Sequence, residues 1–277
     1  MLHLKKEQSP EKESRIFSSG GLLLKGGEIM YTVFSDRERN IISVPATAST
    51  NDDIKDVIKK SSSPVFTVLT AEKQTSGRGR LGRSFLSPEG GLYFSVSFPL
   101  TGRETNIPLL TLLAGLAVNE AITELTGVKT LIKWPNDIYL NNKKLCGILT
   151  ELVSFRGLTA VVGIGINLTE ADFPEEIREI ATSFIREGIA PPEKTALIKK
   201  ITETLDRYVY EEYSLYNVNN DITEKLRERS YSLGKTVSYR LAGESLTGVV
   251  TDIKSTGAAV ITLPDGTEKE IFCGEII

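Results

Sequence analysis

Ser76-Gly-Arg-Gly-Arg-Leu-Gly-Arg83 lies between two apolar runs, Val65-Phe-Thr-Val-Leu-Thr-Ala71 and Leu92-Tyr-Phe-Ser-Val-Ser-Phe98. Glycines let a backbone approach a ligand closely, and guanidinium forks grip carboxylate or phosphate oxygens. A flexible RGG tract would sit in compositionally biased sequence, whereas this one is held between strand-like segments and so forms a positioned loop for an anion. Gly77-x-Gly79-x-x-Gly82 also meets the formal dinucleotide fingerprint, which needs a helix directly after the glycines. Ser87-Pro88 and the alternating Leu92 to Phe98 segment predict a turn and a second strand instead. The loop therefore joins strand to strand, and a doubly wound dinucleotide fold is excluded.

The 277 residues, 40% hydrophobic and 25% charged, can bury a sizeable core, with room for one large domain and a smaller one. A formal net charge of -3 leaves no global footprint for nucleic acid. No uninterrupted apolar run approaches the roughly 18 residues of a membrane span. Cys146 and Cys273 match no zinc spacing, and so few thiols point to a reducing compartment, the cytoplasm by default. His3 is the only histidine and lies in a polar segment, which removes His-based triads and His-rich metal sites. The chemistry falls to Lys, Arg, Asp, Asn and main chain, with no dedicated protein site for a metal.

Residues 1–30 read as a disordered N-terminal segment, charged and interrupted by Gly20-Gly21 and Gly26-Gly27. They lack the apolar core and cleavage site of a signal peptide. Lys25-Gly-Gly-Glu28 can be encoded by a purine-rich ribosome-binding sequence, which makes Met30 a candidate start. From Tyr31 the chain reads as compact, with a strand near Ile41 to Val44 and a helix from Ser49-Thr50-Asn51-Asp52 through Lys60. Ile107 to Thr126 has apolar residues at helical spacing and Gly127 at its end. Thr130 to Leu140, the turn Asn141-Asn-Lys143 and Leu145 to Val153 predict a hairpin, and Leu158 to Asn167 a further strand. Helices are expected over Pro192 to Glu212 and Asn217 to Glu228. From Gly234, short alternating segments with turns at Ala242-Gly243-Glu244 and Pro264-Asp-Gly266 predict a small β-barrel.

Lys133-Trp134-Pro135-Asn136-Asp137 puts a cation at the end of an apolar strand that Pro135 breaks, so Asn136 and Asp137 project from a turn. There is no Gly-x-x-x-x-Gly-Lys-Ser/Thr loop, so any nucleotide is held by another device.

Taken together, Ser49-Thr50-Asn51, Gln74 with Gly77 to Arg83, Lys133 to Asp137, Lys144-Leu-Cys-Gly-Ile-Leu149 and Gly163-Ile-Gly165-Ile-Asn167 closely resemble the biotin protein ligase family over roughly residues 43–277. The resemblance implies an α+β fold: a mixed β-sheet flanked by helices, of the class II synthetase-like biotin/lipoate ligase type, at 31–231. A small SH3-like barrel at 232–277 follows. It implies that biotin and Mg-ATP give biotinyl-5'-adenylate and pyrophosphate, after which a lysine of a biotin carboxyl carrier domain attacks the mixed anhydride. Ser49, Thr50 and Gln74 would meet the ureido ring, with Asn51 also in the biotin site. Gly77, Arg78, Gly79 and Arg80 would close over the biotin tail and adenylate, with Gly147 and Gly163 lining the slot. Lys144 would meet the biotin carboxylate and then the acyl phosphate. Arg80, Arg83, Phe85, Lys133, Asn136 and Asn167 are the implied ATP contacts, and Asp137 would orient a lysine or the incoming amine.

The segment ahead of the ligase signature lacks two amphipathic helices with a turn, so a ligase without the DNA-binding winged helix-turn-helix of bifunctional members is expected. Phe85 stands where an aromatic, often Trp, is usual. Cys146 keeps a rival open, because octanoyltransferases of the same superfamily use a Cys/Lys pair. Lipoate protein ligase is the closer enzymatic rival, and a non-catalytic biotin-binding module would require loss of Lys144, Arg78 or Arg80. Neither DNA nor membrane is expected as a partner, and family members commonly form homodimers.

Overall fold

The computed structural model describes residues 28–34, 37–61, 66–100, 107–169, 172–211, 220–241 and 244–276. Residues 1–27 of the segment expected to be disordered lie outside these. Glu28–Met30 belong to a strand, so regular pairing begins ahead of the expected boundary at Tyr31.

The larger unit is an eight-stranded sheet ordered β1-β2-β3-β4-β8-β7-β6-β5. Its strands are β1 (Glu28–Phe34), β2 (Arg37–Val44), β3 (Thr67–Ala71), β4 (Leu92–Leu100), β5 (Leu131–Lys133), β6 (Asp137–Leu140), β7 (Lys143–Ser154) and β8 (Leu158–Ile166). Only β2 and β3 run parallel; the other neighbours are antiparallel. The mixed sheet expected from the resemblance is present. β2 is longer than its apolar residues indicate, because Arg37 to Asn40 continue the pairing with β1.

Alternation along the central strands sends side chains to two cores. On one face, Val162, Ile164, Ile148 and Cys146 pack with α2 (Ile107–Thr126), whose Leu110, Leu113, Ala117 and Ile122 are fully buried. On the other, Leu69, Val161 and Val153 pack under α1 (Thr50–Lys60) through Ile54, Val57 and Ile58. α2 is apolar nearly all round, and its stretch Pro108–Thr126 is long and apolar enough to span a bilayer by length and composition. It is not an uninterrupted apolar run, since Asn119, Glu120 and Glu124 fall within it. Two thirds of the window is buried inside the fold, as for a central core helix.

α3 (Lys194–Asp206) starts after Pro191-Pro192 because the Glu193 carboxylate accepts from Thr195 N at 2.8 Å and Ala196 N at 2.6 Å. It passes into a π-turn at Arg207–Glu211. α4 (Asn220–Glu228) ends at the expected Glu228, and residues 212–219, including the expected start at Asn217, lie outside the described residues.

The C-terminal unit is an antiparallel sheet ordered β12-β11-β10-β9-β13. It comprises β9 (Thr236–Leu241), β10 (Glu244–Ile253), β11 (Ala259–Thr262), β12 (Glu268–Ile271) and β13 (Glu275–Ile276). The described pairings do not join β12 to β13, so the expected barrel is seen here as a five-stranded sheet. Residues 242–243 of the predicted turn lie outside the described residues.

Candidate active site

Ser49 precedes α1 but does not cap it with its side chain. The orphan N–H of Thr50 instead donates to Gln74 Oε1 at 3.0 Å, and Thr50 Oγ1 donates to the same oxygen at 3.1 Å. A residue beyond β3 thus satisfies the helix start and is fixed in rotamer. Gln74 Nε2 is held by Ser87 Oγ at 2.9 Å. Ser95 Oγ, buried on β4, lies 2.7 Å from Thr50 Oγ1 and 2.6 Å from Asn51 Oδ1.

The Gly/Arg segment is a laced hairpin. Phe85 N donates to Gly77 O at 2.8 Å, Gly79 N to Arg83 O at 2.7 Å and Arg83 N to Arg80 O at 3.2 Å. Its tip turns through Leu81 at φ +55° and Gly82 at φ +75°, left-handed values that Gly82 adopts without steric cost. At Gly77 a Cβ would collide with Phe85 O and Ser87 Oγ, which explains a glycine there. Arg78 pairs with Asp52 and, at 3.3 Å, with Glu151; Arg80 Nη1 donates to Asn136 Oδ1 at 3.2 Å.

Opposite the hairpin, the turn after β5 brings Lys133, Asn136 and Asp137 together. Asn136 is pinned to β7, its Nδ2 donating to Ile148 O at 3.0 Å and its carbonyl accepting from Ile148 N at 2.9 Å. Lys133 Nζ donates to Tyr139 Oη at 3.2 Å. Burial, reinforced by the Asp137 charge, pushes the Tyr139 phenol up to about 12, so it stays protonated at neutral pH. Lys144 Nζ lies 2.8 Å from Asp137 Oδ1 as an ion pair, yet that buried oxygen has no aligned hydrogen bond.

These elements enclose a cavity of about 350 Å³. Its wall takes in Ser49, Thr50, Asn51, Gln74, Arg78, Gly79, Arg80, Arg83, Phe85, Lys133, Asn136, Asp137, Lys144, Gly147 and Gly163. Two expected residues are not in the wall. Gly77 shapes the hairpin behind it, and Asn167, buried past the end of β8, gives its Nδ2 to Thr182 O at 2.9 Å. The wall also contains Gly165, Tyr139 and Ile180, and Gly274 and Ile276 of the C-terminal unit. Gly147 and Gly165 face each other across β7 and β8. A Cβ on Gly165 would come within 2.6 Å of Phe85 Cε1, and one on Gly147 within 2.9 Å of Phe85 Cε2, so the glycine pair makes the bed for that ring.

Cys146 points the other way, into the α2 core. Burial pushes its thiol far up, and the Lys144 charge only partly offsets that. Burial thus disfavours the thiolate, the form in which a cysteine acts as a nucleophile. Among the described residues no group of three or more His, Cys, Asp or Glu side chains could hold a metal ion.

Residues 43–168 match the model of the Biotin/lipoate A/B protein ligase family. The chain is 33% identical over 226 residues to the bifunctional ligase/repressor BirA of Bacillus subtilis, covering 79% of this chain and 68% of that protein. It is 30% identical over 249 residues to the biotin–[acetyl-CoA-carboxylase] ligase of Mycobacterium tuberculosis, covering 86% and 89%. The chain belongs to the biotin protein ligase family. Among solved structures, the biotin protein ligase from Aquifex aeolicus in complex with biotin and ATP superimposes with a TM-score of 0.70 at 34% identity, over 86% of this chain and 97% of that one. In this member of the family the cavity lies between the Gly/Arg hairpin, the Lys133–Asp137 turn and the β7–β8 glycine pair.

Proposed function

We propose that the chain is an ATP-dependent biotin protein ligase working through this cavity, with Mg2+ arriving as the companion of ATP and a biotin carboxyl carrier domain as acceptor. The observation that carries the reading is convergence: three arginines and two lysines face a wall of backbone and small polar groups in one cavity. Such a site suits two anions that repel each other in water. In the first step a biotin carboxylate oxygen attacks the α-phosphorus of ATP; a P–O bond forms, the α–β phosphoanhydride breaks and pyrophosphate leaves. Lys144 and Arg80 would hold the carboxylate and the α-phosphate together, and Arg83, Lys133 and Asn136 the departing phosphates. Prepositioned donors both remove the repulsion and stabilise the charge that develops. Ser49, Thr50, Asn51 and Gln74 would orient the ureido end, and Phe85 over the glycine pair would cover the slot. In the second step the carrier lysine amine attacks the acyl carbon; C–N forms, C–O breaks and AMP leaves. Asp137, 2.8 Å from Lys144, would orient that cation and the incoming amine. A covalent acyl route through Cys146 is disfavoured by the burial of its thiol. A cytoplasmic location fits substrates of this kind.

The test is the mass gained by a purified carrier domain with ATP and biotin, run against lipoate and octanoate as competing acids. Addition of one biotin is expected. Modification only by lipoate or octanoate overturns the assignment.

A further inference from the structure

Outside the cavity wall, β7 carries one carboxylate with three donors. Glu151 accepts from Lys55 Nζ at 2.6 Å, Asn51 Nδ2 at 2.8 Å and Arg78 Nη2 at 3.3 Å. It shares a strand face with Leu149 and Gly147, two and four positions back. We propose that Glu151 is a positioning residue: its carboxylate fixes which way the Asn51 amide points in the cavity and ties the Gly/Arg hairpin to α1 through Arg78. As it concerns biotin, the inference rests on the function proposed above.

An amide presents a donor on one side and an acceptor on the other, and nothing in its shape decides between them. For Asn51 two acceptors on β7 decide it: Nδ2 faces Glu151 and, at 3.3 Å, Leu149 O. Oδ1 must then face Ser95 Oγ, in the space that a Cβ on Gly163 would need. Ser95 has a single hydroxyl proton to share between Asn51 Oδ1 and Thr50 Oγ1, while Thr50 Oγ1 donates onward to Gln74 Oε1. Asn51, Ser95, Thr50 and Gln74 thus form one chain of hydrogen bonds that begins at the Asn51 amide, and three of these four groups line the cavity. Burial acts to raise the Glu151 carboxyl, but hydrogen bonds from Lys55 and Asn51 and the charges of Lys55 and Arg78 outweigh it and hold the group below the usual carboxylate range. It remains an acceptor at neutral pH.

The second contribution is to the hairpin. Arg78 is shared between Asp52, on the first turn of α1, and Glu151, on β7. The three side chains join loop, helix and sheet at one point.

Glu151→Gln keeps the volume but can offer Asn51 either a donor or an acceptor, and removes the charge facing Arg78. Its KM for biotin should rise about tenfold while kcat at saturating biotin stays within about twofold, the pattern of lost binding rather than lost chemistry. In ligand-free protein, trypsin should cut the Arg78 to Arg83 segment several-fold faster, roughly in step with the larger open population. Glu151→Asp retains the charge and should restore part of the protection; it carries both readouts if the Gln variant does not fold. Asp52→Asn should speed tryptic cleavage but raise the biotin KM clearly less than Glu151→Gln does, because it loosens Arg78 without touching Asn51. Unchanged KM and cleavage in Glu151→Gln, a kcat loss at unchanged KM, or an equal KM rise in Asp52→Asn would each overturn the inference. If wild-type protein does not biotinylate the carrier, the function proposed above falls, while the ligand-free cleavage comparison still decides the role of Glu151 at the hairpin.

Discussion

Lys144 and Asp137 face one another from adjacent strands, and neither makes sense without the other. The aspartate oxygen is buried and lacks an aligned hydrogen bond, so the ammonium 2.8 Å away is its compensation. Lys144→Met would remove the proposed carboxylate-binding cation and leave that carboxylate without its counter-charge. One prepositioned donor at a site of developing charge is worth roughly 10²–10³ in rate, and ATP–pyrophosphate exchange dependent on biotin should fall by about that factor. A loss under tenfold would place the carboxylate elsewhere. Cys146, one strand position from Gly147, makes the opposite prediction. Its side chain belongs to the α2 core, so Cys146→Ala should leave carrier biotinylation essentially unchanged. Its cost should be seen in thermal melting alone, as the small void of a shortened core residue. Abolished transfer in a variant that melts normally would make the thiol a participant.

At the scale of elements, the cavity is made where flat backbone meets one aromatic ring. Gly147 and Gly165 are cross-strand partners, and Phe85, also in edge-to-face contact with Tyr93 at 6.5 Å, lies over both. Lys144 Nζ sits 5.6 Å from the centre of that ring. Gly165→Ala would force the ring off its bed, at an overpacking cost of about 1–3 kcal/mol. Calorimetry should show weaker binding of biotin and ATP. In a Phe85→Ala background the same substitution should cost clearly less, and strict additivity of the two changes would show that ring and glycine do not interact. Much of this arrangement is legible in the sequence. The hairpin is flanked by alternating apolar runs, the long helix is apolar along its length and stops at Gly127, and Gly163-x-Gly165 keeps strand parity on one face. Asn167 continues that parity on paper but lies outside the cavity wall, since β8 ends at Ile166 and the Asn167 amide donates to Thr182 O. Ser95 and Glu151 are not legible as site groups, since each reaches Asn51 from 44 and 100 positions away and only the sheet order β4-β8-β7 brings them there. The early end of β2 is missed because Arg37 to Asn40 are held by pairing with β1 rather than by an apolar face.

Across the whole molecule, two links hold the outer elements to the sheet that carries the site. Trp134, in the turn between Lys133 and Asn136, donates Nε1–H to Gly257 O at 3.0 Å, fastening that turn to the C-terminal sheet, whose Gly274 and Ile276 complete the cavity wall. On the far side of α2, Glu120 gathers the helical layer. It accepts from Tyr208 Oη at 2.6 Å and Arg229 Nη1 at 2.8 Å, with Lys225 and Arg207 each 3.6 Å away. Burial acts to raise its carboxyl, but the hydrogen bonds from Tyr208 and Arg229 and the charges of Lys225 and Arg229 prevail and hold it below the ordinary glutamate value of 4.5. A carboxylate with a depressed folded pKa contributes its full stability above the unfolded value and loses it as pH falls through the folded one. Glu120→Gln keeps the shape and removes the charge. It should destabilise the protein by about 1–2 kcal/mol at pH 7, a figure reduced from that of a fully buried charged hydrogen bond because two of the cations are more than a third exposed. Urea unfolding of both proteins across a pH series should show the gap constant above 4.5 and closing below it, as the wild-type carboxylate takes up its proton. A gap that persists undiminished in strong acid would mean that shape, rather than charge, joins α2 to its neighbours.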